Sequence, residues 1–412
     1  MIGARHRLSP GRSLTILLAL FTTLGPYSTD AFFPSMRAMG TQFGVSTFQI
    51  QQGVTAFLLP FGIASLVHGS ISDALGRRRV LLVGLLLYTL ASVGAGLVGG
   101  YHAFIVLRIC QGLVAGTGMI IARAIVRDLY SGPVAQRAMG TMTMVFALGP
   151  AFAPVIGGWL QLGFGWRSVF LSMAVVGLLL TAAAAWLLPE TLPPEKRVPM
   201  HLGQIVRRLG GVLRNARFLR LTAASVLCFI VLQMYIGAAP AIILDHWHGS
   251  EKSYSMLTLP VIGGYMLGGF VSNRFAGRVA PVRQANLGYA MLIATTSAMV
   301  VLQWTWPGSP WWLQAAVIFC TTLGLQLVYP VMMLQVLDLF PGALGTATSG
   351  YSFLALLVSS MTMGVLAPLI AHSMLLIAAV ALFSVLSGWA CWELPRLRRA
   401  AGRDRGDRAR RS

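Results

Sequence analysis

No aspartate, glutamate, lysine or arginine occurs in residues 38–72, 80–107, 138–166, 168–189 or 221–244, and the charge-free runs 284–337 and 339–392 are longer still. A helix needs about 20 predominantly apolar residues to cross the hydrocarbon of a bilayer, so each shorter run holds one crossing and each of the two longest holds two. Inside lipid every backbone polar group must be bonded within the structure, which leaves only helices and closed barrels. Barrel strands would alternate apolar and polar residues over about ten positions, and these segments show no such alternation. Soluble domains carry about 25% charged residues, whereas this chain carries 10% against 56% hydrophobic. The expected fold class is an all-α polytopic membrane protein.

Turn residues and charges divide the runs into twelve expected transmembrane helices, near 13–36, 47–71, 80–98, 102–124, 138–161, 167–188, 219–243, 255–273, 284–303, 311–336, 344–369 and 373–394. With the N-terminus placed in the cytoplasm, all but four of the 31 lysines and arginines fall on the cytoplasmic side. The positive-inside rule then puts both termini there. Trp166, Trp247, Trp304, Trp306, Trp311 and Trp312 fall near the opposite interface, where amphipathic rings concentrate. The first apolar run follows a basic stretch but has no small-residue cleavage site, so it is expected to be a retained span. The net charge of +20 would suggest nucleic acid in a soluble protein. Here the charges sit in loops and in the tail 395–412 without interleaved aromatics. They read as orientation signals touching anionic membrane lipid, with no nucleic-acid partner. Cys110, Cys228, Cys320 and Cys391 all lie in apolar runs and read as reduced packing residues.

The chain repeats itself at an offset of about 200: Pro60 with Pro260, Gly69 with Gly269, Ser72 with Ser272 and Asp73 with Asn273, each set ending in Gly-Arg at Gly76-Arg77 and Gly277-Arg278. The expected organisation is a six-helix bundle over 1–188, a cytoplasmic linker over 189–218, a second six-helix bundle over 219–394 and the basic tail. Two such halves are the mark of transporters that rock one half against the other around a central site.

Of the eleven acids, only Asp30 lies inside a span. A carboxylate at the centre of a spanning helix costs about 2.5–3.5 kcal/mol on insertion scales, so such residues face a cavity and carry function by default. Arg108 is the one basic residue well inside a span. Counted at 1.5 Å per residue, both lie roughly 10 Å below the same interface, which allows them to pair. A proton or substrate on Asp30 would then alter how Arg108 is held.

Gly69-Ser-Ile-Ser-Asp73-Ala-Leu-Gly76-Arg77 ends the second expected span. It resembles the signature loop of the major facilitator superfamily. Arg108-Ile-Cys-Gln111-Gly112 resembles the helix-four element of that family, and Gly149-Pro150-Ala-Phe-Ala-Pro154-Val-Ile-Gly157-Gly158 its antiporter motif in helix five. Thr29-Asp30-Ala-Phe-Phe-Pro34 is similar to the helix-one segment of the bicyclomycin and chloramphenicol resistance subgroup. The resemblance implies the major facilitator fold and a proton-coupled drug exporter of the bacterial cytoplasmic (inner) membrane, working as a monomer without a cofactor. Asp30 and Arg108 would carry proton coupling, and Asp73 with the arginines after it would lock a gate. The lock in the second copy, with Asn273, would be weaker. Some multidrug relatives carry a second acid one turn before the aspartate of helix one; here 21–26 holds none. Tyr27, Gln233, Tyr235, Gln326, Tyr329 and Gln335 are candidates to line the substrate cavity.

Two alternatives stand beside export. One is a same-fold transporter of a physiological solute such as a sugar, nucleoside or amino acid. The other is a lipid-modifying enzyme, because His68-Gly-Ser-Ile-Ser-Asp73 matches an acyltransferase pattern. The gate motif already accounts for Asp73, and Gly94-Ala-Gly-Leu-Val-Gly99 matches a dinucleotide fingerprint without the strand that would have to precede it. No paired acids, serine triad or metal cluster is read from the sequence, so no enzyme activity and no metal are expected.

Overall fold

The computed structural model describes residues 11–198, 202–250, 253–275, 277–340 and 344–411. Most of those residues are helical, and none of them forms a strand. Eleven helices are long and apolar enough to cross a membrane. The first is span one, Arg12–Phe43, followed by span two (Thr47–Leu75), span three (Arg77–Leu97) and span four (Tyr101–Leu129). Span five, Gly132–Phe164, holds the shorter apolar stretch Phe152–Phe164 and completes the set of twelve. Span six is Trp166–Leu187, span seven Ala216–Gly237, span eight Tyr254–Phe275, span nine Pro281–Thr305 and span ten Trp311–Leu337. Span eleven is Gly345–Ile370, and span twelve starts at Met374 in a helix that runs on to Arg411.

The chain divides into two compact units. Unit 1 holds Met1–Val206 together with Ile236–Thr258 and Ala355–Leu369; unit 2 holds Arg207–Tyr235, Leu259–Leu354 and Ile370–Ser412. The first six spans and the start of the linker thus share a unit with one end of spans seven and eleven.

Span one is not one helix. Arg12–Phe21 stops where the hydroxyls of Thr22 and Thr23 donate back to the carbonyls of Ala19 (2.6 Å) and Leu20 (2.8 Å). A second helix, Leu24–Asp30, follows, then a tight turn over Phe33–Ser35 and a third helix, Met36–Phe43. Proline has no N–H and its ring crowds the carbonyl four residues back. Pro26 therefore cannot bond Thr22, and Pro34 cannot bond Asp30, so the chain breaks at both places. Span two, by contrast, begins with a complete capping box: Gln49 N donates to Ser46 Oγ, and Ser46 N donates to Gln49 Oε1. It runs unbroken past Pro60.

Candidate functional site: a buried polar centre and an arginine-locked loop

Pro34 places Asp30 at the C-terminal end of the helix Leu24–Asp30. The residue is 6% exposed, and its carboxyl group has no hydrogen bond or ion pair among the described residues. Span five presses on the chain beside it. A Cβ at Gly157 would lie 2.1 Å from the Ala31 carbonyl oxygen, and one at Gly149 would lie 2.8 Å from Pro26 Cβ. Pro154, Gly157 and Gly158 are buried, and Gly149 and Pro150 partly so. The antiporter-like motif is thus the surface on which the broken segment of span one rests.

Arg108 is fully buried on span four. Its Nε donates to the Gly53 carbonyl of span two at 3.0 Å, and its Nη1 to the Ser28 carbonyl of span one at 3.2 Å and to Gln111 Oε1 at 3.1 Å. The guanidinium also lies over three rings, 4.5 Å from the centroid of Phe57, 5.2 Å from Phe32 and 6.0 Å from Phe170. Arg108 and Asp30, whose matching depth allowed a pairing directly or through water, make no direct ion pair. Arg108 is occupied instead by backbone carbonyls, which offer charge-assisted hydrogen bonds without a second desolvated ion. It grips span one two residues before Asp30.

The network continues through residues that the sequence analysis did not single out. Gln111 Nε2 donates to Ser92 Oγ of span three at 2.7 Å, and the hydroxyls of Ser28 and Tyr88 bond each other. Tyr88 and Ser92 stand four apart on one face of span three. Polar pairs at that spacing in an apolar helix were a usable signal. Gly112 has a role of contact: a Cβ there would lie 2.1 Å from the Phe57 carbonyl oxygen, so its absence lets spans two and four touch.

At the opposite end of the bundle by topology, the loop between spans two and three is built around Arg77, which is 8% exposed. Arg77 Nη1 pairs with Asp73 at 2.5 Å and donates to Ser72 Oγ at 2.6 Å, while Nε pairs with Asp128 of span four at 3.0 Å. Its backbone N–H donates to Glu190 Oε1 at 3.0 Å. Gly76 holds φ at +97°, which favours glycine. A Cβ there would meet Glu190 Oε2 at 2.6 Å. The Ser72 hydroxyl donates to the Gly69 carbonyl at 2.8 Å. Asp128 and Glu190, far away in sequence, therefore join the Arg77 network beside Gly69, Asp73 and Gly76, the residues expected to form a gate. His68 is buried against Gly116 of span four, and Asp73 is engaged by Arg77. The acyltransferase reading has no site.

The cavity candidates divide between the units. In unit 1 the Tyr27 hydroxyl bonds Ser172 Oγ of span six at 2.7 Å. In unit 2 the hydroxyls of Tyr351 and Ser225 bond each other at 2.8 Å. Tyr235 is buried on span seven, and Gln233 and Gln335 are partly buried. Gln326 packs against Gly268 and Gly269 of span eight, and the Tyr329 ring lies 5.6 Å from that of Phe229 on span seven. No group of three or more His, Cys, Asp or Glu poised to hold a metal occurs among the described residues.

Comparison with known proteins places this architecture. The family model described as Major Facilitator Superfamily matches residues 16–363. An uncharacterized MFS-type transporter of Bacillus subtilis is 30% identical over 71% of this chain and 73% of its own length. A bicyclomycin resistance protein homolog of Haemophilus influenzae is 25% identical over 67% and 69%, and a chloramphenicol resistance protein of Pseudomonas aeruginosa 30% over 65% and 62%. Among solved structures, a D-xylose-proton symporter superposes with a TM-score of 0.73 at 16% identity, covering 92% of this chain and 97% of that one, which shows the shared fold. The helices, the polar centre and these matches agree: the chain is a multi-pass membrane transporter, not an enzyme, and it belongs to the major facilitator superfamily, alongside relatives named for bicyclomycin, chloramphenicol and multidrug resistance.

Proposed function

We propose that this transporter exports small drugs, of amphenicol or bicyclomycin-like type and with room for multidrug range, in exchange for protons across the bacterial cytoplasmic membrane. It does so as a monomer with both termini in the cytoplasm, and the proton gradient is its energy source. The observation that carries the reading is Asp30: a buried carboxyl group without a protein partner among the described residues. It stands beside the backbone that Arg108 holds and on the surface of the antiporter-like motif. A carboxyl group so placed can hold either a proton or a polar group of the substrate, and competition between the two couples their movements. The names of the relatives support drugs as the cargo. Arg108, fixed to spans one, two and four, keeps the segment of Asp30 in register while its charge state changes.

The test uses energised everted membrane vesicles with a fluorescent pH-gradient dye, wild type against Asp30→Asn, and a panel of amphenicols, bicyclomycin, lipophilic cations and sugars. Collapse of the gradient on adding amphenicols or bicyclomycin in wild type, lost in the variant, is the expected result. Equal responses in the two proteins would make Asp30 structural. Responses to sugars alone would replace drug export by solute transport.

A further inference from the structure

Span seven ends as a regular helix at Gly237 and continues through a short turn, Ala239–Ala241, into the wide turn Ile242–His246. Span eleven breaks in the same way, with a wide turn over Thr362–Leu366. Such turns free backbone carbonyls that a straight helix would use. Two adjacent side chains near the start of span two take them up. Gln51, 3% exposed, donates through Nε2 to the Gly237 carbonyl at 2.7 Å and to the Met363 carbonyl at 2.6 Å. Gln52 donates through Nε2 to the Gly364 carbonyl at 2.6 Å. Gly364 itself lies flat on span two: a Cβ there would fall 1.7 Å from Thr55 Oγ1. The next residue along span two, Gly53, gives its carbonyl to Arg108. Three consecutive residues therefore face two tasks, clamping the breaks of spans seven and eleven and fixing the arginine that grips span one beside Asp30. All of these segments lie in unit 1.

We infer that Gln51 and Gln52 are positioning residues of transport: they clamp the breaks of spans seven and eleven to span two, and Gly53 ties this clamp to Arg108. A carrier that opens its site to the two membrane faces in turn must part such contacts once per cycle. Bonds from a neutral amide to free carbonyls suit that demand, because each is modest in net worth and leaves no bare charge when broken. The role in transport rests on the export reading above, but the clamp itself can be measured without drug or gradient.

The experiment is hydrogen–deuterium exchange on the full chain in lipid nanodiscs. In Gln51→Met/Gln52→Met, which keeps side-chain length and removes the donors, amides of 237–246 and 362–367 should exchange about tenfold faster or more, as expected for losing several buried hydrogen bonds. Spans three and six should be unchanged. Gly364→Ala attacks the same contact by sterics and should give the same pattern, and adding Thr55→Ala should restore protection by removing the clashing oxygen. Arg108→Lys should raise exchange in the same two segments. Unchanged exchange in the double variant, or an increase spread evenly over every span, would overturn the clamp. A response to the glutamine variants with none to Arg108→Lys would overturn the tie through Gly53. Failure of the gradient assay in wild type would sink drug export without touching these outcomes.

Discussion

The two halves of the repeat build one contact from different chemistry. In unit 1, Ser72 near the end of span two accepts a hydrogen bond from Arg77 at the start of span three. In unit 2, Ser272 near the end of span eight accepts one from Gln284 at the start of span nine, at 2.9 Å. Gly76 and Gly277 both carry positive φ between those spans, +97° and +74°. The backbone device is kept, but the donor differs. Arg77 also holds Asp73 and Asp128, whereas Gln284 turns its remaining capacity to the Leu327 carbonyl at 3.1 Å. Deeper in the bundle the contrast recurs. Tyr88 reaches span one in a centre that contains Arg108 and Asp30, and its counterpart Tyr289 reaches the carbonyls of Ala224 and Gly388 at 3.1 and 3.3 Å in neutral surroundings. Buried ionic groups are costly unless satisfied and are retained where charge has work to do. The buried charge compared here thus belongs to the first half, while the second keeps the architecture with amides and hydroxyls at the matching places.

The sharpest way to break this comparison is Arg77→Gln, which gives the first loop the donor type of the second. It leaves Asp73 and Asp128 without their cation and should cost about 2–3 kcal/mol, read as a lower midpoint of thermal unfolding in detergent together with lost transport. Helix contact should behave alike in both halves. A Cβ at Gly112 would lie 2.1 Å from the Phe57 carbonyl, and one at Gly264 the same distance from that of Phe319. Gly112→Ala and Gly264→Ala should each destabilise by about 2 kcal/mol, and a large disparity between their midpoints would deny the structural repeat. Tyr88→Phe removes the bond to Ser28 and should cost about 1 kcal/mol, with substrate-induced proton release reduced more than stability; Tyr289→Phe should change stability alone. The smallest effect belongs to Asn273→Asp, which puts a carboxylate beside Arg274 on the exposed last turn of span eight. It should shift the midpoint by less than about 0.5 kcal/mol and lose even that at high salt.

Much of this was legible beforehand. The charge-free runs have one physical solution, so twelve spans followed from length and hydropathy, and each expected span overlaps an observed helix. Asp30 and Arg108 stood out because charge inside a span is costly, and both are buried. That they make no direct ion pair was not legible. Depth along two helices says nothing of rotation about them, and the carbonyls of Gly53 and Ser28 that hold Arg108 exist in every residue and leave no trace in side-chain identity. The same limit hid Asp128 and Glu190, which come to Arg77 from 51 and 113 residues away. The breaks in span one were read over, since 13–36 was expected as one helix, although Pro26 and Pro34 each cost it a backbone bond. The breaks in spans seven and eleven had a fainter sign, the paired amides of Gln51 and Gln52 in a charge-free stretch.

The start of the linker is stitched to the first loop. Glu190 accepts bonds from the backbone N–H groups of Arg77, Thr191 and Leu192, the Thr191 hydroxyl donates to Asp128, and Val198 N donates to the Asp73 carbonyl. Residues 190–198 are thus a strap across the lock rather than slack between two bundles. A gene divided into two co-expressed fragments should then give working protein when the junction falls beyond Val198, and fail when it falls between Leu188 and Val198, where the severed strap would leave its bolt behind.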